Sequence, residues 1–464
     1  MNSQMSLSPV LARIDADLPA ALERLFALIR IPSISTDSAY AKDCVACAEA
    51  LKADFDSLGF TTSVRPTPGH PVVVAHRPKP GAPHVLFYGH YDVQPVDPEN
   101  LWTDAPFAPS VKEIAPGRKA IVGRGAADDK GQVMTFVEAC RAFIAVTGDL
   151  PVGVTLLIEG EEENGSKNLP AFIKKHRKEL AADIGLVCDT GMWDEDTPAI
   201  TTSLRGMVYE EVVIRAANRD LHSGLYGGAA QNPVHLLSRI IASLHDKNGR
   251  IRIPGFYRGV SDPAPEQLEN WKALGLTGEN FLGPIGLKHS VGEKGRDLIE
   301  HIQSRPTCDV NGIWGGYTGE GAKTVIAAEA RAKISFRLVG KQNPAAIKKA
   351  FRAFVSKQIP ADCSVEFIDM KGSPAVALPF DSAPMTAARM ALKAEWGRDA
   401  ATVGSGGSIP IVGDFKRILG LDCVMVGFGL DDDRIHSPNE KYDLKSFHKG
   451  TRSWARILDG LAFA

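Results

Sequence analysis

The sequence predicts an α/β protein in which a mainly parallel sheet with crossover helices is interrupted by an inserted α+β unit. Three observations carry this expectation. Between Pro71 and Gly165, short β-branched runs alternate with a helix, the pattern of strands joined by crossovers. Near Arg205 the pattern changes to longer alternating strands and two helices, around a Gly- and Pro-rich stretch at 247–305. After residue 385 the helix, strand and helix pattern of the first part returns. The boundaries expected on this basis are 1–205 and 386–464 for one domain and 206–385 for the insert.

The elements follow in order. LPAALERLFALIRI, from Leu18 to Ile31, reads as an amphipathic helix ended by Pro32. CVACAEALKADF continues in helical period, so the C-x-x-C pair Cys44 and Cys47 reads as core thiols. PVVVAHRP, HVLFYGHYDV, VGVTLLIEG and IGLVCD are strands, and GQVMTFVEACRAFIAV is the helix among them. In the insert, MVYEEVVIRAA, ARAKISFRLVG and SVEFIDM read as strands, and NPVHLLSRIIASLHD and PAAIKKAFRAFVSKQI as helices. APMTAARMALKAEWG, CVMVGFG and a last helix complete the chain.

Composition narrows the function. Lys and Arg number 53 against 55 Asp and Glu, a net charge of -2, so nothing favours nucleic acid. No stretch of 18 apolar residues predicts a membrane span. Residues 1–18 lack the apolar core of a secretory signal, and seven irregularly spaced cysteines suit a reducing compartment, so a cytoplasmic protein is expected.

Five segments hold candidate chemistry, each at the end of an element, where open α/β sheets bind ligands. HVLFYGHYDVQP brings His90 and Asp92 two residues apart, so Asp92 can accept the second N–H of His90. VGRGAADDKG places Asp128 in a Gly-rich loop before a helix, as a helix cap or as a carboxylate bridging two metals. LLIEGEEENGS ends a strand in four acids within five residues, either a solvated charge run or the source of a metal ligand and a general base. IGLVCDTG delivers Asp189 to a loop, and GLDDDRIHSPNEK holds His436. Each alone has an ordinary explanation as a turn, cap or solvated group. Together they form a nitrogen and carboxylate set without thiolate, which suits zinc, with cobalt or manganese as alternatives. Five ligands exceed the three usual at one catalytic zinc, so two metals sharing a carboxylate is the economical count.

GHYDVQP, GRGAADDKG, EGEEENGS and HSPNEK, in that order, resemble the di-zinc aminoacylase and dipeptidase family, which includes carnosinase, nonspecific dipeptidase, acetylornithine deacetylase, succinyl-diaminopimelate desuccinylase and glutamate carboxypeptidase. SLRG, DLHSGLYGG, GAKTVI, SFRLV and GGSIP are most similar to the carnosinase and nonspecific dipeptidase branch. The resemblance implies that His90 and Asp189 hold one zinc, Glu163 and His436 the other, and Asp128 both. It implies that Asp92 orients His90, that Glu162 is the general base, and that the Asp128–Asp129 peptide is cis. It gives His222 to the oxyanion from a second subunit, Arg337 to the substrate carboxylate, and Thr324 and Ser408 to further substrate contacts. Gly406 and Gly407 would let backbone approach the substrate. The insert is implied to be a ferredoxin-like lid and dimerisation domain, giving a homodimer.

The implied activity is hydrolysis of an amide bond in small peptides. The alternative is deacylation of N-acyl amino acids, and a remote one is a non-catalytic metal-bound scaffold. The scaffold would be signalled by loss of Glu162 or a ligand, and neither is lost. One departure bears on substrate: several dipeptidase relatives have Arg-Glu before GGSIP, where this chain has Gly404 and Ser405. Without that acid, recognition of a free α-amino group is not assured and N-acylated substrates stay open.

Overall fold

The computed structural model describes residues 3–370, 372–377, 382–405 and 410–463. The chain folds as two compact units, one of Met1–Thr202, Leu378–Val403 and Pro410–Ala464, the other of Ser203–Ala377 and Gly404–Ile409.

The first unit is built on a twisted sheet whose strands run Thr61–Arg65, Val72–Arg77, Gly153–Glu159, His84–His90, Ile184–Val187, Cys423–Met425 and Ala199–Leu204. Only the central four of these are mutually parallel. The expectation of a mainly parallel sheet is corrected here to a mixed one. Thr61–Arg65 and Val72–Arg77 are joined by six residues, too few for a crossover, so they pair antiparallel. Val72–Arg77 also runs antiparallel to Gly153–Glu159, as Ala199–Leu204 does to Cys423–Met425. A second sheet of Ser110–Ala115, Arg118–Val122 and Lys441–Asp443 escaped the sequence pattern because most residues of its first strand are exposed.

The core of this unit grips the strand that ends in His90. Phe87 stacks on Phe136 of the buried Lys130–Thr147 helix, with centroids 3.8 Å apart. Trp454, from the last helix, sets its ring edge-on against both at 5.8 and 5.4 Å. Such pairs add about 0.5–1.5 kcal/mol each beyond burial. Two glycines allow close approaches: a Cβ on Gly89 would lie 2.8 Å from the Asp129 carboxylate, and one on Gly131 would lie 1.9 Å from the Ala126 carbonyl. The loop carrying Asp128 is thereby folded tightly between strand and helix. The first helix runs from Ser3 to Ile29, longer than the amphipathic stretch suggested. Cys44 and Cys47 are buried in the Ala41–Ser57 helix, and all seven cysteines are free thiols.

The second unit holds a four-stranded antiparallel sheet in the order Thr307–Gly315, Glu329–Leu338, Gly206–Arg215, Ser364–Asp369. The Pro233–Ala242 and Pro344–Ser356 helices pack on it through Leu236, Leu237, Ile240, Ile347 and Phe351. The stretch expected to be irregular contains three short helices, Pro265–Ala273, Gly278–Leu282 and Leu298–Gln303. The edge strand Thr307–Gly315 was missed because Val310, Ile313 and Trp314 are exposed, which erases the burial alternation of a strand. Among the described residues no helix is long and apolar enough to cross a membrane.

Candidate metal centre

His90 closes a strand whose last six residues are buried, and its ring is wholly enclosed. Nδ1 lies 3.1 Å from the Asp92 carbonyl oxygen and 3.3 Å from its carboxylate. The backbone N–H of His90 donates to Asp129 at 3.1 Å. With Nδ1 engaged, Nε2 is free to act as a lone-pair donor. It lies 3.0 Å from Asp128 Oδ1 but has no hydrogen-bonding partner of acceptable geometry. A fully buried imidazole nitrogen left this way is costly unless something electron-poor accepts it.

Asp128 sits between two histidines. Its other oxygen, Oδ2, is 2.9 Å from His436 Nε2, which in turn lies 3.1 Å from Glu163 Oε2. Two donor groups result, each with its ligand atoms within 4.8 Å of one another: His90, Asp128 and Asp189, and Asp128, Glu163 and His436. They share Asp128. Asp189 follows the Ile184–Val187 strand, and His436 lies on an exposed loop in a left-handed conformation, φ 63°. The Asp128–Asp129 peptide is cis.

The electrostatics are those of a cation site. Burial, then the Asp128 charge, raises the pKa of Asp189. Burial likewise raises Glu162, with Asp128, Glu163 and Asp92 adding to it against the opposing pull of His90. Hydrogen bonds to Asp128 and then Glu163 raise His436 to about 10. Burial opposes ionisation of Asp128, but contacts with His436 and His90 hold its carboxyl well below the usual range. Crowded carboxylates around histidine nitrogens, one of them orphaned, fit a divalent metal at each group. The donor chemistry therefore accommodates the metals the sequence pointed to.

Asp92 does more than face His90. Its carboxylate accepts the backbone N–H groups of Glu162 at 3.3 Å and Glu163 at 3.0 Å. Glu162 belongs to neither donor group and is part-buried beside them. Three residues overlooked in the sequence support the set. Gln94 donates to Glu163 Oε2 at 2.7 Å, Asp129 holds the His90 backbone, and Glu440 gathers the Asp128 loop. All three lie inside the motifs DVQP, ADDKG and PNEK, so adjacency to a candidate ligand was the available signal.

The remaining candidates belong to the second unit. His222 is exposed on a two-residue strand paired with Val325–Ile326, its Nδ1 accepting the Gly224 N–H at 3.0 Å. Thr324 is exposed, and its carbonyl accepts the Ser223 N–H at 3.0 Å. Arg337 is half-buried on the Glu329–Leu338 strand, opposite Thr307 and Met207. Gly406, Gly407 and Ser408 lie outside the described residues.

Residues 86–460 match the model of Peptidase family M20/M25/M40. The chain is 31% identical to the Cys-Gly metallodipeptidase DUG1 of Saccharomyces cerevisiae, over 98% of each protein. It is 31% identical to the human Beta-Ala-His dipeptidase, over 81% of this chain and 74% of that one. A solved M20 family metallo-carboxypeptidase from Sulfolobus solfataricus is 31% identical and superposes with a TM-score of 0.78, covering 96% of this chain and 99% of the other. With the fold, the clustered acids and histidines and these relatives together, the chain belongs to Peptidase family M20/M25/M40, in its carnosinase and nonspecific dipeptidase branch, and is a metallopeptidase.

Proposed function

We propose that this protein is a dipeptidase with two zinc ions, one held by His90, Asp128 and Asp189, the other by Asp128, Glu163 and His436. The observation that carries the proposal is the shared carboxylate: Asp128 touches both His90 and His436, so the two donor groups are joined at one residue. The named dipeptidase relatives supply the substrate class. When bound, the metals supply Lewis acidity that polarises the scissile carbonyl and acidifies water.

The protein's own groups do the rest. The Glu162 carboxylate takes the proton of the attacking water and returns it to the leaving amine. Asp92, by accepting the amides of Glu162 and Glu163, holds base and ligand on one short turn. His222 donates to the developing oxyanion. Arg337 grips the substrate carboxylate with two parallel N–H groups, a geometry that suits guanidinium. Thr324 and Ser408 contribute hydroxyl contacts.

The insert, residues 206–385, serves in this proposal as a lid and dimerisation domain. Its edge strand Thr307–Gly315 exposes Val310, Ile313 and Trp314, an apolar surface beside a free strand edge that a second copy can cover. His222 then reaches the site of the other subunit. The seven free cysteines favour a cytoplasmic location.

The test is a substrate panel with Zn²⁺ or Mn²⁺: alanyl and β-alanyl dipeptides, a tripeptide, and N-acetyl and N-succinyl amino acids. Dipeptides are expected to turn over fastest. Turnover of the acylated compounds alone overturns the proposal and favours the deacylase alternative that Gly404 and Ser405 leave open.

A further inference from the structure

Glu440 lies four residues after His436 and is wholly buried. Its carboxylate meets four donors. Oε1 accepts the N–H groups of Ala127 at 3.0 Å and Asp128 at 3.1 Å. Oε2 accepts Arg124 Nη1 at 2.7 Å and the Gly125 N–H at 3.1 Å. The Glu440 carbonyl also accepts the Gly123 N–H at 3.0 Å. One side chain thus organises the whole 123–128 loop from the far end of the sequence.

The loop on the other side needs such an anchor. Arg434, His436 and Asn439 all adopt positive φ, at 55°, 63° and 63°, a region non-glycine residues avoid. The His436 side chain is 53% exposed, whereas that of His90 is fully buried and held by strand and core. Nothing as rigid as a strand aims His436 at Asp128. Glu440 links the two: its backbone continues the His436 loop, and its carboxylate holds the Asp128 amide.

We propose that Glu440 is a positioning residue for the Asp128, Glu163 and His436 group, fixing the distance between two ligands 308 positions apart. The inference rests on the two-metal proposal above. A carboxylate is required: every partner is a donor, so the –NH₂ of a glutamine in its place would face N–H groups on one side or the other. Outer-shell partners of this kind change metal affinity by roughly 10–100-fold when replaced.

The experiment is a titration of metal-free protein with Co²⁺, followed by visible absorption, on wild type, E440Q, H436A and L51A. Wild type is expected to take up two equivalents. E440Q is expected to keep one near wild-type affinity and to bind the other about 10–100-fold more weakly. Its one-equivalent spectrum should match that of H436A. L51A opens a cavity in the buried face of the Ala41–Ser57 helix and leaves all four hydrogen bonds to the Glu440 carboxylate in place. It is expected to lower the melting temperature while keeping both cobalt affinities in the wild-type range. Fewer than two equivalents in wild type overturn the two-metal proposal, and this inference with it. Two equivalents bound unchanged by E440Q overturn the role of Glu440 alone. So does loss of cobalt by L51A in step with its loss of melting temperature, because that marks a general dependence on folding.

Discussion

The candidate residues of the first unit and those of the second are held in opposite ways. His90 and Asp92 are wholly buried, and each proposed ligand lies within reach of another. Asp92 touches His90, Glu162 and Glu163 at once, while Gln94 and Glu440 hold Glu163 and the Asp128 loop. His222 is exposed on a two-residue ribbon, Thr324 is exposed just before its second strand, and Arg337 stands half-buried on a strand. The contrast matches what the proposed function asks of each set. Metal binding and proton transfer need ligands preorganised to a fraction of an ångström. Recognition of varied small peptides tolerates groups that adjust.

The largest effect expected from breaking this contrast is at Glu162. Glu162→Gln should lower kcat by about 10²–10⁴-fold while both metals stay bound. Metal analysis beside steady-state kinetics checks it, and full activity in this variant would remove Glu162 from the mechanism. Next is Arg337→Ala. Loss of charge-assisted hydrogen bonds of about 1.5–3 kcal/mol predicts a fall in kcat/KM of roughly 10–150-fold, with metal content unchanged. A drop in metal content would mean that the two sets are not separable.

A third prediction concerns pH. In the metal-free protein, Asp128 and then Glu163 raise His436 to about 10, so it carries a proton at neutral pH. Metal binding must displace that proton. Affinity should therefore be greatest above pH 10 and fall about tenfold per unit as pH drops below it. The His90 group should lose affinity separately at lower pH, where Asp189, raised by burial and the Asp128 charge, takes a proton. Calorimetry in buffers of different ionisation enthalpy reads the proton release directly. A flat pH profile would show that His436 does not bind the metal.

Legibility in the sequence followed the same divide. Strands with buried, β-branched runs, such as HVLFYGH and GVTLLIE, stand out because burial on both faces leaves only apolar residues. The edge strand Thr307–Gly315 and the sheet containing Ser110–Ala115 do not, because half-solvated strands lose that signature. Strand direction was also out of reach. Val72–Arg77 has the composition of a parallel strand yet pairs antiparallel on both sides.

By itself the sequence determined which residue types could meet a metal and that they lie at element ends, since ligand chemistry and hydrophobic period are local properties. It also placed the chain in its family through ordered motifs. Only the tertiary structure decided that Asp128 stands between His90 and His436, that His90 Nε2 is left without a hydrogen-bonding partner, and that Glu440 ties the two loops together. Those facts depend on long-range packing. A carboxylate 308 positions from a histidine becomes its neighbour only when the sheet, the Lys130–Thr147 helix and the last loop have closed on one another.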